Sequence, residues 1–152
     1  MINKKFNKTI WLAWLVTIVW MAVIFLMSSE VADTSSARSD EIVQTIRSIG
    51  VSAPEGLLTF LVRKAAHISA YFVLGILICN LLREHHISTK RTILLSILFA
   101  MLYACTDELH QVFVSGRSGE VRDVLIDTAG AAVGVAVYAA LLSRFYKKSE
   151  IV

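Results

Sequence analysis

Charge is scarce in this sequence: only 18% of the 152 residues are Asp, Glu, Lys or Arg, against about 25% in a soluble domain. Proline occurs once and glycine seven times, which excludes collagen-like and Pro/Gly low-complexity chains. Two cysteines are too few for a disulfide scaffold. What is abundant is apolar surface, at 56% of residues with a mean hydropathy of +0.65. A disordered chain would need the opposite balance. The excess is gathered into four long runs, so lipid is the expected solvent.

The runs predict an all-α membrane protein with four transmembrane helices at about residues 10–27, 57–82, 92–114 and 123–142, forming one domain over 1–152. The first run, Ile10 to Met27, is uncharged. It is longer than the 7 to 15 residues or so of a cleavable signal core, so it reads as a retained span. The third is apolar only to Cys105 and spans only if the helix continues through Asp107, Glu108, His110 and Gln111 to Val114. Between the first two runs, Ile42, Val43, Ile46 and Ile49 recur at helical spacing behind Ser39 and Asp40. They suggest either an amphipathic surface helix in the first outer loop or a mobile loop that carries a few apolar residues. Pro54 is placed to open the second span.

Basic residues set the expected orientation. The N-terminal segment, the Arg83 to Arg91 turn and the tail after Leu142 hold nine basic residues against two acids; the remaining loops and ends hold six against ten. By the positive-inside rule both termini are cytoplasmic, in a multi-pass protein of the bacterial cytoplasmic membrane. Because the cations flank spans and do not cluster on one face with aromatic platforms, nucleic acid is not an expected partner. Cys79 and Cys105 fall at depths about 15 Å apart, beyond disulfide reach; both read as small packing residues. His85 and His86 fall in the short turn and read as solvated.

The ionisable residues within the spans are the informative ones. His67, Asp107 and Asp127 each stand fifteen residues from the inner ends of their runs, roughly 22 Å up a hydrocarbon layer of about 30 Å. Charged groups facing lipid are expensive, so they are expected to turn inward and meet. Helical spacing agrees. Lys64, His67, Tyr71 and Gly75 form one stripe; Tyr103, Asp107, His110 and Gln111 another, with Glu108 to one side; and Asp123, Asp127, Gly130 and Gly134 a third. An outward-facing pocket lined by Lys64, His67, Tyr71, Asp107, Glu108, Gln111, Arg117, Asp123 and Asp127 follows, with Ser28, Ser29 and Glu30 at its rim. Gly130 and Gly134 would admit a close helix, within the chain or between copies in an oligomer. In the Ser115 to Gly119 turn, Arg117 between glycines suits a phosphate or carboxylate, or a pairing with one of the nearby acids.

With those residues in view, the chain resembles the VanZ-like family of small membrane proteins. The likeness rests on Phe25-Leu26-Met27-Ser28-Ser29, on Arg63-Lys64-Ala65-Ala66-His67 with Tyr71, and on the block from Tyr103 to Gly134. Ser115 stands where proline is usual before Gly-Arg, and Asp127 where asparagine is usual. The resemblance implies an accessory role in low-level resistance to teicoplanin, a glycopeptide with a lipid tail.

Several chemistries fit the cluster. It would bind a lipid-linked wall precursor or a lipoglycopeptide through Lys64 and Arg117, among membrane lipids. It would hydrolyse or transfer a lipid-linked phosphate with Asp107 or Glu108 as acid or base and His67 as proton relay. It would also serve a proton-coupled transporter, or hold the helices together by hydrogen bonds alone. A metal set of Asp107, His110, His67 and Asp123 is weighed against the absence of two histidines at i, i+4; no resident metal or other cofactor is expected.

Overall fold

A computed structural model describes residues 8–149 of the chain, and its described residues form five helices and no strand. They are α1 (Lys8–Ser28), α2 (Ala32–Ser48), α3 (Glu55–Glu84), α4 (Thr89–Gln111) and α5 (Val121–Ser149). All but α2 are long and apolar enough to cross a membrane. Helices are the required solution for such runs, since lipid offers no partner to an open backbone N–H or C=O. Large side chains such as Trp11, Leu26, Leu94, Leu125 and Leu141 are exposed around the bundle. That girdle would be an aggregation surface in water and is the natural lipid boundary of a spanning bundle.

The chain runs up and down. The C-terminal ends of α1 and α4 meet the N-terminal ends of α3 and α5 at one end of the bundle, here called the loop end; Ser28 touches Asp107 and Lys64 touches Asp123 there. At the opposite, turn end, α3 passes into α4 through His85 and His86, the latter with φ 57°. His85 is exposed and meets the edge of Trp14, with ring centroids 6.4 Å apart. Central to the packing is α3, which touches all four other helices and lies most extensively against α5. Tyr71, Leu74, Ile78, Ala100, Ala104 and Ala131, with Ile24, are the buried core.

Small residues set the α3–α5 spacing. A Cβ added at Gly134 would stand 2.1 Å from the Phe72 carbonyl oxygen, and one at Gly75 would stand 2.3 Å from that of Ala131. Gly130 packs likewise on the backbone of Ile68. The Gly130 and Gly134 face, weighed above for an oligomer contact, is therefore occupied within the chain by α3.

Several boundaries and placements differ from the sequence reading, the far end of α5 at Ser149 in place of 142 among them. Helix α4 ends at Gln111, not Val114, because Val112 to Val114 tighten into a turn in which Phe113 and Val114 donate to the carbonyls of His110 and Gln111. Helix α2 starts at Ala32, seven residues before Ser39. Ser39 does not cap it: it is buried within the helix and its Oγ donates to the Ser35 carbonyl. Of the expected apolar face, Val43 is buried while Ile42 and Ile49 are exposed. Cys79 is a buried packing residue as expected, but Cys105 is exposed on the surface of α4.

Candidate functional site

The polar residues of the spans collect at the loop end in two connected parts. Deeper in the bundle, α3 contributes His67 and Tyr71, α4 contributes Asp107, Glu108 and Gln111, and α5 contributes Asp127. One suitable donor atom from each of His67, Asp107 and Asp127 lies within 4.8 Å of the others. His67 Nδ1 faces Asp127 Oδ2 at 3.5 Å. Ser28, from the end of α1, donates to Asp107 Oδ2 at 2.9 Å, and Gln111 Nε2 reaches the same oxygen at 3.4 Å. Three buried atoms here lack a hydrogen-bond partner: Tyr71 OH, Asp107 Oδ1 and Asp127 Oδ1.

Glu108 is the residue whose position helical spacing judged least well. It is buried, accepting from Gln111 Nε2 at 3.2 Å and from the Glu120 backbone N–H at 2.9 Å. Oε2 thus holds the α4–α5 loop while Oε1 is tied to Gln111 within α4, and the loop passes so close that a Cβ on Gly119 would sit 2.5 Å from the Glu108 carbonyl oxygen. His110, grouped by spacing with Asp107, turns toward α1. Its ring stacks on Phe25 at 4.4 Å and Nε2 lies 3.1 Å from Ser29 Oγ. Asp123 pairs with Lys64. The four-residue metal set weighed from the sequence is therefore not assembled; Asp127, left out of it, takes their place beside His67 and Asp107.

Toward the loops lies a cavity of 180 Å³ lined by Arg63, Lys64, His67, Gln111, Arg117 and Asp123, among others. Its electrostatics are unbalanced. Lys64 is matched by Asp123, and Arg122 by Glu120. Among the described residues, no carboxylate pairs with Arg63 or Arg117, both half-buried. Arg117 donates only a long 3.4 Å bond to Gln111 Oε1, and its Nε is buried without a partner. Burial, and then the positive charge of Arg63, hold this guanidinium below the usual arginine range. The pairing of Arg117 with a nearby acid, one of the two alternatives above, does not form. Arg63 was not singled out from the sequence as a pocket residue; it lies about 100° round the helix from Lys64, and only the α4–α5 loop folding over α3 makes it a neighbour of Arg117. Glu30, expected at the rim, is engaged by Arg38 at 2.5 Å.

Below this region the bundle turns apolar. Leu74, Ile78, Ala100, Ala104, Ala131 and Val135 are all buried there, with the neutral Thr17, Ser96 and Thr92 buried toward the turn end. There Tyr138 donates to Asn80 Oδ1 at 2.5 Å and accepts from Arg83 at 2.9 Å. A second cleft, of 320 Å³, opens at that end beside Arg83 and Thr92.

A four-span helical bundle with an ionisable layer buried near one end is a multi-pass membrane protein built around a polar site. The family model described as VanZ/LLP1 matches residues 13–143, and the chain belongs to the VanZ-like family. No curated protein and no solved structure matches it.

Proposed function

We propose that the loop-end cavity binds an anionic group, a phosphate or carboxylate, carried by a lipid-linked wall precursor or by a lipidated glycopeptide such as teicoplanin. The loop end faces outward and both termini face the cytoplasm of a bacterial cell. The observation that carries the reading is the pair Arg63 and Arg117: two half-buried guanidinia lining one cavity, neither in a salt bridge among the described residues, with one buried N–H unspent. Like charges held together in a partly desolvated pocket are relieved by an anion, and planar guanidinia suit phosphate and carboxylate. Lys64, already neutralised by Asp123, adds hydrogen-bonding capacity more than charge. Binding is favoured over proton-coupled transport by the buried apolar layer of Leu74, Ala131 and Val135, which carries no ionisable group to relay a proton.

In nanodiscs, the purified chain is expected to bind a polyprenyl monophosphate, read by thermal shift. Arg117→Ala should weaken binding by about 10-fold or more, the size of a hydrogen bond to a charged group. Arg38→Ala, at an exposed pair with Glu30, should leave it unchanged. Equal affinity in all three proteins would refute the site. In a susceptible Gram-positive host, the wild-type chain should raise the inhibitory concentration of teicoplanin but not of vancomycin. The Arg117→Ala chain, equally expressed, should raise neither.

The orientation has its own check. With Cys105→Ala and Cys79 left buried, Ser52→Cys should react with an impermeant maleimide on intact cells. Lys90→Cys should react only after lysis; the reverse pattern would invert the topology.

A further inference from the structure

The deeper cluster presents a charge problem that its own side chains leave open. Asp107 and Asp127 are 3% and 1% exposed, inside a span, and His67 is the only basic group within their triad. Buried carboxylates need a counter-charge or full hydrogen bonding. Each keeps one oxygen buried with no partner; the other oxygen of Asp107 accepts from Ser28, while that of Asp127 only faces His67 Nδ1.

The distances have a distinct meaning. A separation of 3.5 Å between His67 Nδ1 and Asp127 Oδ2 is long for an N–H···O bond, which prefers about 2.7 to 3.2 Å. It matches the edge between two donors that each stand about 2.1 Å from one tetrahedral ion, roughly 3.4 Å. Asp107 completes the triangle, with all three donors within 4.8 Å. Ser28 and Gln111 fix Asp107 through Oδ2 and leave Oδ1 free, the arrangement of an outer partner orienting a ligating carboxylate.

An independent observation points the same way. Tyr71, one turn along α3 from His67, is fully buried, and its hydroxyl has no hydrogen-bond partner. It lines a small cavity of 30 Å³ together with His67 and Ser28. A buried hydroxyl without an acceptor is rare; an oxygen bound in the open position of an ion would supply one.

We propose that His67, Asp107 and Asp127 bind a first-row divalent cation, with zinc the best match to one imidazole and two carboxylates. Three protein ligands leave an open coordination position, as in zinc sites that act on a bound molecule. The site borders the anion cavity, which His67 also lines, but its ligands include neither Arg63 nor Arg117, so it can be tested on Asp107 and Asp127 separately.

The test uses the full chain in detergent, stripped with chelator and dialysed against zinc, then against manganese. Elemental analysis is expected to find about one zinc per chain, with a zinc-dependent rise in melting temperature that chelator reverses. Asp127→Asn and Asp107→Asn keep the shape and should lose both signals. Ser28→Ala should weaken zinc affinity about 10-fold, a graded readout that survives if the carboxylate variants do not fold. His110→Ala, outside the triad, should behave as wild type. Absence of stoichiometric zinc or manganese from the folded wild type overturns the proposal, as does retention of zinc by both asparagine variants.

Discussion

Gly134→Ala is expected to leave little folded protein. The new methyl would lie 2.1 Å from the carbonyl oxygen of Phe72, an atom fixed in a helical hydrogen bond and unable to rotate away. Relief requires α3 and α5 to separate, which loosens the largest helix contact in the bundle and opens the layer containing Tyr71, Leu74 and Ala131. Overpacking of this kind destabilises by about 1 to 3 kcal/mol and more where backbone must move; the upper part of that range applies here. Gly75→Ala should match it, because its methyl meets the Ala131 carbonyl oxygen at 2.3 Å from the other side. Gly56→Ala is the control. Nothing lies within 4 Å of its Cβ, and replacing a helical glycine with alanine gains about 0.5 to 1 kcal/mol. Monodisperse yield and unfolding in mixed micelles would separate the three. A Gly134→Ala protein as stable as Gly56→Ala would contradict the close approach.

The second large effect is expected at Lys64. Its ammonium bonds Asp123, the two side chains are 19% and 16% exposed, and Asp123 Oδ1 is already buried without a partner. Lys64→Met keeps an aliphatic stem of similar length and removes the charge, together with the ammonium's contact over the Phe60 ring at 5.4 Å. Stranding a mostly buried carboxylate in this way destabilises by about 3 kcal/mol. Adding Asp123→Leu should restore most of the loss, since an apolar pair of similar volume tolerates this setting as well as an ion pair does. If the double variant is as unstable as Lys64→Met alone, the pair does not govern stability and the loss lies in packing.

The spans were legible because lipid imposes a single rule on backbone and side chains together: a long apolar run must be a helix. The meeting of His67, Asp107 and Asp127 was legible for a related reason. Equal distance from the run ends placed them at one depth, and the cost of facing lipid turned them toward one another. What depth and 100° spacing cannot reveal is rotation of each helix about its axis and the path of the loops. His110 shares a helical face with Asp107, yet the rotation of α4 directs it to Phe25 and Ser29. Glu108, off that face, is held inside because the Gly119–Glu120 backbone comes to it. Arg63 became a neighbour of Arg117 by the same loop. The early start of α2 is a local matter: its first residues, Ala32 to Ser36, carry no apolar periodicity to announce a helix.

The Lys64–Asp123 pair also has a history in time. Its partners are 59 positions apart in the chain, and ribosomes add about 5 to 20 residues each second. For roughly 3 to 12 s, then, α3 must be accommodated at the membrane with its ammonium unmatched. It lies near the helix end, where a long side chain reaches the interface. The matching anion, Asp123, comes only with α5, so the charge on α3 is closed by a helix made after α4.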